Sequence, residues 1–591
     1  MDALRNNVAA LLTRLGDVKV QTEKFSTELR RRVDTIYSQL DRIDHAMGEI
    51  GTQNADLAAK LRKLEIYIDQ ANNAALGTQV AALEKAVLES LDYECRPVRY
   101  GTIHPAHKST FDWVFSSCSE SSLKTHHFLE WLESGSGLFW IRGKPGAGKS
   151  TLMKYITGNP RTKASLQTWA NPDHAIIGSH YFWISGSPMQ RSYMGLLRSI
   201  MFEILSQAPS LIEPLCRGES WWLDLVNCAI SSPGSIPKWI EVSLLSCLRR
   251  LSAAKDLPVA VRFCVFIDAL DEYAGHVNGE AKDFADICQT LLELTASTRM
   301  KICVASRPSN VFNDHFGTDR VRVLDVQELT TRDIARYARD GLKNLDWLQL
   351  TQNPVEDTPC ELMESFVVKI QKQSQGIFLW VFLVVRLLRN GFTNGDSLQE
   401  LQQRLESLPS DLEPFFKRIS DDVEPCYHQK MAGFLRITLA SQGDGLPFPV
   451  YIAHEYEYDQ RRPLLDDLLC DDIKDKDHLE LRARMAKRLD AITRGLLKFE
   501  GDNIHFLHRT VTDFLRTGPM MRFLEEKSHE HFTPHIATLR AVIAIWKIPT
   551  NRGLLAMCLS APSEPDILEK MLRCGMHYIS IHGPRARFES R

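Results

Sequence analysis

Apolar and polar positions along this chain change their spacing three times, and each change predicts a different architecture. Residues 1–90 contain no proline and read as helix. From Leu29 the positions Leu29, Val33, Ile36, Leu40, Ile43, Met47, Ile50, Asn54, Leu57, Leu61, Leu64 and Ile68 follow in steps of four and three. With Val33 at heptad position a, Asn54 also falls at a, where a buried Asn sets register and strand number. The period fits a coiled coil over 29–68. It fits equally a helical hairpin inside an intramolecular bundle: Gly48 and Gly51 suit a bend, and positions e and g carry few complementary charges. Both readings stand at this point.

From residue 137 to about 325 the pattern alternates. Short apolar runs predict strands at Leu138–Ile141, Ile176–Trp183, Phe263–Ile267, Lys301–Ala305 and Arg320–Leu324. Helical spacing lies between them, notably over Tyr193–Ser206 and Ala281–Thr295. Strands alternating with helices predict a parallel sheet covered on both faces. Beyond residue 330 helical spacing dominates. Thr330 and Thr331 are placed to cap Asp333–Leu342, Gly376–Leu388 is apolar enough for a core helix, and 409–441 continues as helix. Around Arg494–His508 the period drops to two, with Gly501-Asp502-Asn503 as the turn. A hairpin after helices, followed by helical Thr510–Leu515, predicts a winged-helix-like unit.

The chain has 591 residues, 44% of them hydrophobic and 25% charged, and a formal net charge of −3. That composition is globular and long enough for several domains. No long basic stripe is present, and Arg30-Arg31-Arg32 fits one turn of a solvated helix, so nucleic-acid binding is not expected as the main activity. The 13 cysteines form no C-x-x-C pair, which points to a reducing compartment and a cytoplasmic protein. Cys264 and Cys303 fall in predicted core strands. No signal peptide is visible. The longest apolar run, Ile377–Val385, stops at Arg386, too short for a transmembrane segment.

Candidate chemistry sits at the ends of two predicted strands. Gly143-Lys144-Pro145-Gly146-Ala147-Gly148-Lys149-Ser150, followed by Thr151, fills every position of the phosphate-binding pattern G-x-x-x-x-G-K-[ST]. Backbone N–H groups of such a loop, with the helix N-terminus behind it, surround phosphate. Lys149 reaches the β- and γ-phosphates and Ser150 ligates Mg²⁺. The strand Phe263–Ile267 runs into Asp268, the position from which a second acid holds the metal. Asp271 and Glu272 follow at once.

In their order, the P-loop, Asp268-Ala269-Leu270-Asp271-Glu272, Ser306-Arg307-Pro308, Leu329-Thr330-Thr331-Arg332-Asp333-Ile334 and Leu507-His508-Arg509-Thr510 resemble the NACHT NTPases. The likeness is strongest to fungal NLR-like members of the signal-transducing (STAND) class and to the nephrocystin-type N-terminal NTPase domain. It covers about residues 90–520, and includes Gln190–Arg198 and Gly376–Val381. The resemblance implies a nucleotide-dependent switch. Asp268 would hold Mg²⁺, Glu272 or Asp271 would polarise the attacking water, Arg307 would read the γ-phosphate, and His508 would touch the β-phosphate of a bound diphosphate. Exchange to triphosphate would open the molecule, and open copies would form a homo-oligomer, with the N-terminal helices as a surface for a protein partner.

The expected organisation is therefore an N-terminal helical segment (1–90), a lead-in (91–136) and an α/β P-loop NTPase core (137–325). A helical domain (326–420), a winged-helix-like domain (421–520) and a helical tail (521–591) follow. The family's WD40, ankyrin or tetratricopeptide sensor is not visible, as in a truncated gene product, and no repeat period appears. The cofactors expected are ATP or ADP with Mg²⁺; the lack of an N-K-x-D motif favours ATP over GTP. A slow nucleoside-triphosphatase activity is implied. A motor-type ATPase and a nucleotide-binding scaffold without catalysis are the rival readings. His529, His531 and His535 have metal-like spacing, but Pro534 interrupts it and no fourth ligand completes the set.

Overall fold

In this computed structural model the described residues run from 80 to 538, with short internal gaps, plus residues 31, 32, 35 and 38. The heptad over 29–68 and the tail beyond 538 lie essentially outside them. The described part falls into two compact units. One takes in the residues up to Leu91 together with Ala208–Ser243; the other takes in Asp92–Gln207 and everything from Leu244 onward. In the first, Trp221 and Trp239 meet edge to face with ring centres 4.8 Å apart. Trp239 also donates from its indole to Ser90 Oγ at 3.0 Å.

The second unit is built on a five-stranded sheet. Its strands are β1 (Gly137–Arg142), β2 (His174–Tyr181), β3 (Val261–Asp268), β4 (Met300–Ser306) and β5 (Val323–Asp325), in the order β2-β3-β4-β1-β5, all parallel. The first four lie where the apolar runs predict them; β5 overlaps its predicted run at Val323 and Leu324, and Arg320 and Val321 lie outside the described residues. Their composition also tracks their place in the sheet. The interior strands β4 and β1 are buried almost throughout, whereas β2, at an edge, alternates. The hydrophobic core on one face joins Phe139, Ile141, Cys264, Phe266 and Cys303 to the lead-in residues Phe111, Phe128 and Trp131.

Lys301 is the exception in β4. It is fully buried, and its ammonium donates to the carbonyls of Trp131 and Leu132, both at 2.8 Å. Those carbonyls belong to the last turn of the helix Leu123–Glu133, whose terminal acceptors lack helical partners. Burial pulls the lysine down to about 8.

The helices Thr331–Leu342, Pro359–Gln373 and Phe378–Asn394 share one apolar core with a three-stranded antiparallel sheet. That sheet orders as β6 (Leu446–Pro447), β8 (Asn503–Phe506), β7 (Leu497–Glu500). The β7–β8 hairpin turns at Gly501, whose φ is 62°, as its sequence predicts. The 409–441 stretch is two helices, Leu412–Asp421 and His428–Ala440, parted by a short 3-10 turn at Pro425–Tyr427. One expected cap differs. Thr330 precedes Thr331–Leu342 but makes no side-chain cap bond, and its hydroxyl is buried without a partner among the described residues. Among the described residues no helix is long and apolar enough to cross a membrane.

Candidate nucleotide site

Three neighbouring strands deliver the chemistry to one edge of the sheet. β3 ends in Asp268, β4 is followed by Arg307, and β1 is followed by the phosphate-binding loop. This is the carboxyl edge, where open parallel sheets bind ligands. A cleft of about 630 Å³ lies there. Pro145, Gly146, Gly148, Lys149, Ser150, Thr151, Asp268, Asp271, Glu272, Arg307 and His508 all line it. Gly143 and Lys144 take part through their carbonyls, and Ala147 is buried beneath.

Gly146 and Gly148 have φ of 75° and 95°, a region costly for any residue with a Cβ. A Cβ on Gly146 would also come within 2.8 Å of the Leu379 Cβ. Leu379 stands in the first turn of Phe378–Asn394, and its N–H donates to the Gly146 carbonyl at 3.0 Å. On the other side, the Lys144 N–H donates to Gln327 Oε1 at 3.0 Å. The loop is thus held from the helical region, a clamp that its own sequence does not reveal. Lys149 Nζ donates to the carbonyls of Gly143 at 2.7 Å and Lys144 at 3.1 Å. Burial draws its ammonium down to about 8, and Asp271 works against the shift.

Asp268 is 1% exposed, and neither carboxylate oxygen has a hydrogen-bond partner among the described residues. Buried polar atoms are seldom left so. Burial pushes this carboxyl up to about 6; Ser150, Arg99 and Lys149 oppose the rise. Ser150 therefore lies near it, without making a bond of hydrogen-bond geometry in this conformation. A buried carboxylate with open lone pairs beside a hydroxyl fits an Mg²⁺ ion whose remaining ligands would be phosphate oxygens and water. The next residue, Ala269, takes a left-handed conformation with φ of 55°, a strained turn of the kind that collects at functional sites.

The two following acids are engaged. Asp271 accepts the Arg307 backbone N–H and an Arg509 guanidinium N–H, both at 3.0 Å. Glu272 accepts the Ile184 N–H at 3.0 Å and pairs with Arg509 at 3.3 Å. Arg307 in turn donates to Asp513 at 2.9 Å. Arg509 and Asp513 belong to the helix Arg509–Leu515, more than two hundred residues from the acids and the arginine they meet. Neither is assigned a role by the sequence, although Arg509 lies inside the Leu507–Thr510 motif.

His508 caps that helix. Its Nδ1 accepts the Thr510 N–H at 3.1 Å and lies 2.8 Å from the Thr510 hydroxyl. Nδ1 being an acceptor, the ring proton sits on Nε2. The ring keeps some solvent access but is enclosed by the cleft walls. Burial, helped by Arg307, Arg99, Lys149 and Arg509, pulls its pKa down to about 3. A charged imidazolium is thus disfavoured, and His508 would donate to a phosphate as a neutral ring.

One wall of the cleft, against Gly148, is aromatic. Phe111 and Tyr337 lie 6.1 and 6.2 Å from Phe378, ring centre to ring centre. Phe111 has φ of 67° and is pinned by Asp333, whose Oδ2 accepts its N–H at 3.0 Å and the Trp113 indole N–H at 2.8 Å. This wall suits a flat apolar group such as a nucleobase. Sequence reading finds none of it, because Phe111, Tyr337 and Phe378 come from separate segments.

The family model described as nephrocystin 3, N-terminal, matches residues 117–307, and one described as a domain of unknown function matches 422–553. No curated protein sequence matches. Among solved structures, the Cdc6p of Pyrobaculum aerophilum is 13% identical, with 71% of this chain and 99% of that one covered at a TM-score of 0.27. A signal transduction ATPase with numerous domains and a tetratricopeptide repeat sensor, from Pyrococcus horikoshii, is also 13% identical. It aligns over 80% of this chain and 55% of its own length at a TM-score of 0.28. Likeness at that level carries no functional weight. The family match over the strands that carry the loop and the acids, together with the parallel sheet itself, identifies a P-loop NTPase core.

Proposed function

We propose that the chain is a NACHT-type, nucleotide-dependent switch of the fungal NLR-like kind, with ATP or ADP and Mg²⁺ as ligands. The observation that carries this is the pairing of Arg509 with Asp271 and Glu272. A segment distant in sequence closes the cleft by occupying the very acids that triphosphate hydrolysis would use. The loop N–H groups and Lys149 would bind the phosphates; Ser150 and Asp268 would hold Mg²⁺, which neutralises charge developing on the transferred phosphate. Glu272 would orient and deprotonate water once Arg509 leaves it. With Arg307 tied to Asp513 and Glu272 tied to Arg509, the conformation described here is the closed, slow one. Exchange of diphosphate for triphosphate would release the winged-helix-like domain (421–520), and open copies would associate.

The test is to purify the full chain and identify the nucleotide that remains bound. Tightly held diphosphate, with turnover far below about 1 per second, is the expected result. An empty site with steady turnover at or above that rate would overturn the switch and favour a motor-type ATPase.

A further inference from the structure

The lead-in contributes a cation that no motif predicts. Arg99 lies in the short helix Val98–Thr102, and its side chain enters the cleft. Its guanidinium carbon stands over the Trp183 ring, 5.7 Å from the centre. Its Nε is buried and has no hydrogen-bond partner. The other two arginines close to the acids are differently placed. Arg307 and Arg509 are each matched by carboxylates of Asp271 and Asp513. Among the described residues Arg99 has no such match.

A partly exposed guanidinium whose Nε is shut off from water with no acceptor is left under-satisfied. It is tolerable where a bound ligand supplies the anion. The position says which part of the ligand. Trp183 lies just beyond β2, and the preceding Phe182 N–H donates to the Asp268 carbonyl at 3.1 Å. Arg99 therefore stands at the Asp268 side of the cleft, near enough to act electrostatically on both Asp268 and His508. The metal-side acid of a P-loop site marks the β/γ end of the phosphate chain.

We propose that Arg99 is a ligand to the terminal phosphate of a bound nucleoside triphosphate. It would supply in cis, from the lead-in, the charge that distinguishes triphosphate from diphosphate while Arg307 and Arg509 are occupied by acids. This rests on the nucleotide-binding reading of the cleft. Arg99→Met keeps the stem that packs on Trp183 and removes the charge; Arg99→Lys keeps the charge and loses the planar fork.

The experiment is calorimetric titration of the full chain with ADP and with the non-hydrolysable adenylyl imidodiphosphate, both with Mg²⁺. Arg99→Met should weaken the triphosphate analogue about ten- to a hundredfold, the loss of one or more charge-assisted bonds. ADP should change by less than about threefold, and Arg99→Lys should recover part of the loss. Without nucleotide, the melting temperature of Arg99→Met should not fall, since no ion pair is lost and an unbonded Nε has gone. Equal loss for both nucleotides, or no loss for either, would overturn the assignment. If wild type binds neither nucleotide, or Lys149→Ala leaves binding unchanged, the nucleotide reading itself fails, a result separate from any behaviour of Arg99.

Discussion

At the scale of single residues, the site is organised around charges placed where they are uncomfortable until ligand arrives. Asp268 is the clearest case. Its carboxyl is raised from 3.8 to about 6 by burial. The unfolded chain therefore ionises first, and between about pH 4 and pH 6 folding stability falls as pH rises. Above that window the ionised carboxylate weighs against the folded state in full. Asp268→Asn should then raise nucleotide-free stability by roughly 1–3 kcal/mol at pH 7.5, with the gain shrinking toward pH 4. The same variant should lose Mg²⁺-dependent nucleotide affinity. Thermal melts across pH, with and without Mg²⁺ and ADP, check both halves. A variant no more stable than wild type at pH 7.5 would mean that the carboxylate already has a partner. The sequence places Asp268 correctly at a strand end but says nothing of its burial, which depends on β2, β4 and the lead-in packing around it.

At the scale of elements, the helix Arg509–Leu515 would be the piece that closes the site in the proposed switch. His508 caps it, and the cap bond to the Thr510 N–H orients the ring. One turn contributes Arg509 and Asp513, spaced i, i+4 on one face, so that both meet the NTPase edge together. The two form an alternating set with Arg307 and Asp271. Removing Arg509 leaves the buried Glu272 without its cation and Asp271 with Arg307 alone. Arg509→Met should shift the closed–open balance by about 1–3 kcal/mol, or 5- to 150-fold. The readouts are faster diphosphate release in stopped flow and a higher basal hydrolysis rate. Unchanged release with unchanged hydrolysis would reduce the cluster to a surface ion-pair network. His508 is visible through the resemblance of its tetrapeptide; the ionic partners of its neighbour are not, because ion pairs across this span follow from folding.

At the scale of the whole molecule, the proposal is that closure and hydrolysis compete for the same carboxylates. Glu272→Gln preserves shape and removes the base, and general-base catalysis is worth about 10²–10⁴-fold. The full-length variant should bind ATP, hydrolyse it slower by that factor, and accumulate in the open form. Sedimentation should show larger particles with ATP and not with ADP. A monomer under both conditions would separate nucleotide binding from assembly. Much of this molecule is legible in its residues alone. The strand positions, the P-loop, Asp268 and the β7–β8 turn are local: each is set by a run of apolar side chains, a glycine's conformational freedom, or a carboxylate closing a strand. The strand order β2-β3-β4-β1-β5 is not local, nor is the clamp of Leu379 and Gln327 on the loop. The Phe111–Phe378–Tyr337 wall, the entry of Arg99 and the capture of Asp271 and Glu272 by Arg509 are likewise absent from any local pattern. Those depend on which distant surfaces bury one another, and tertiary packing alone decided them.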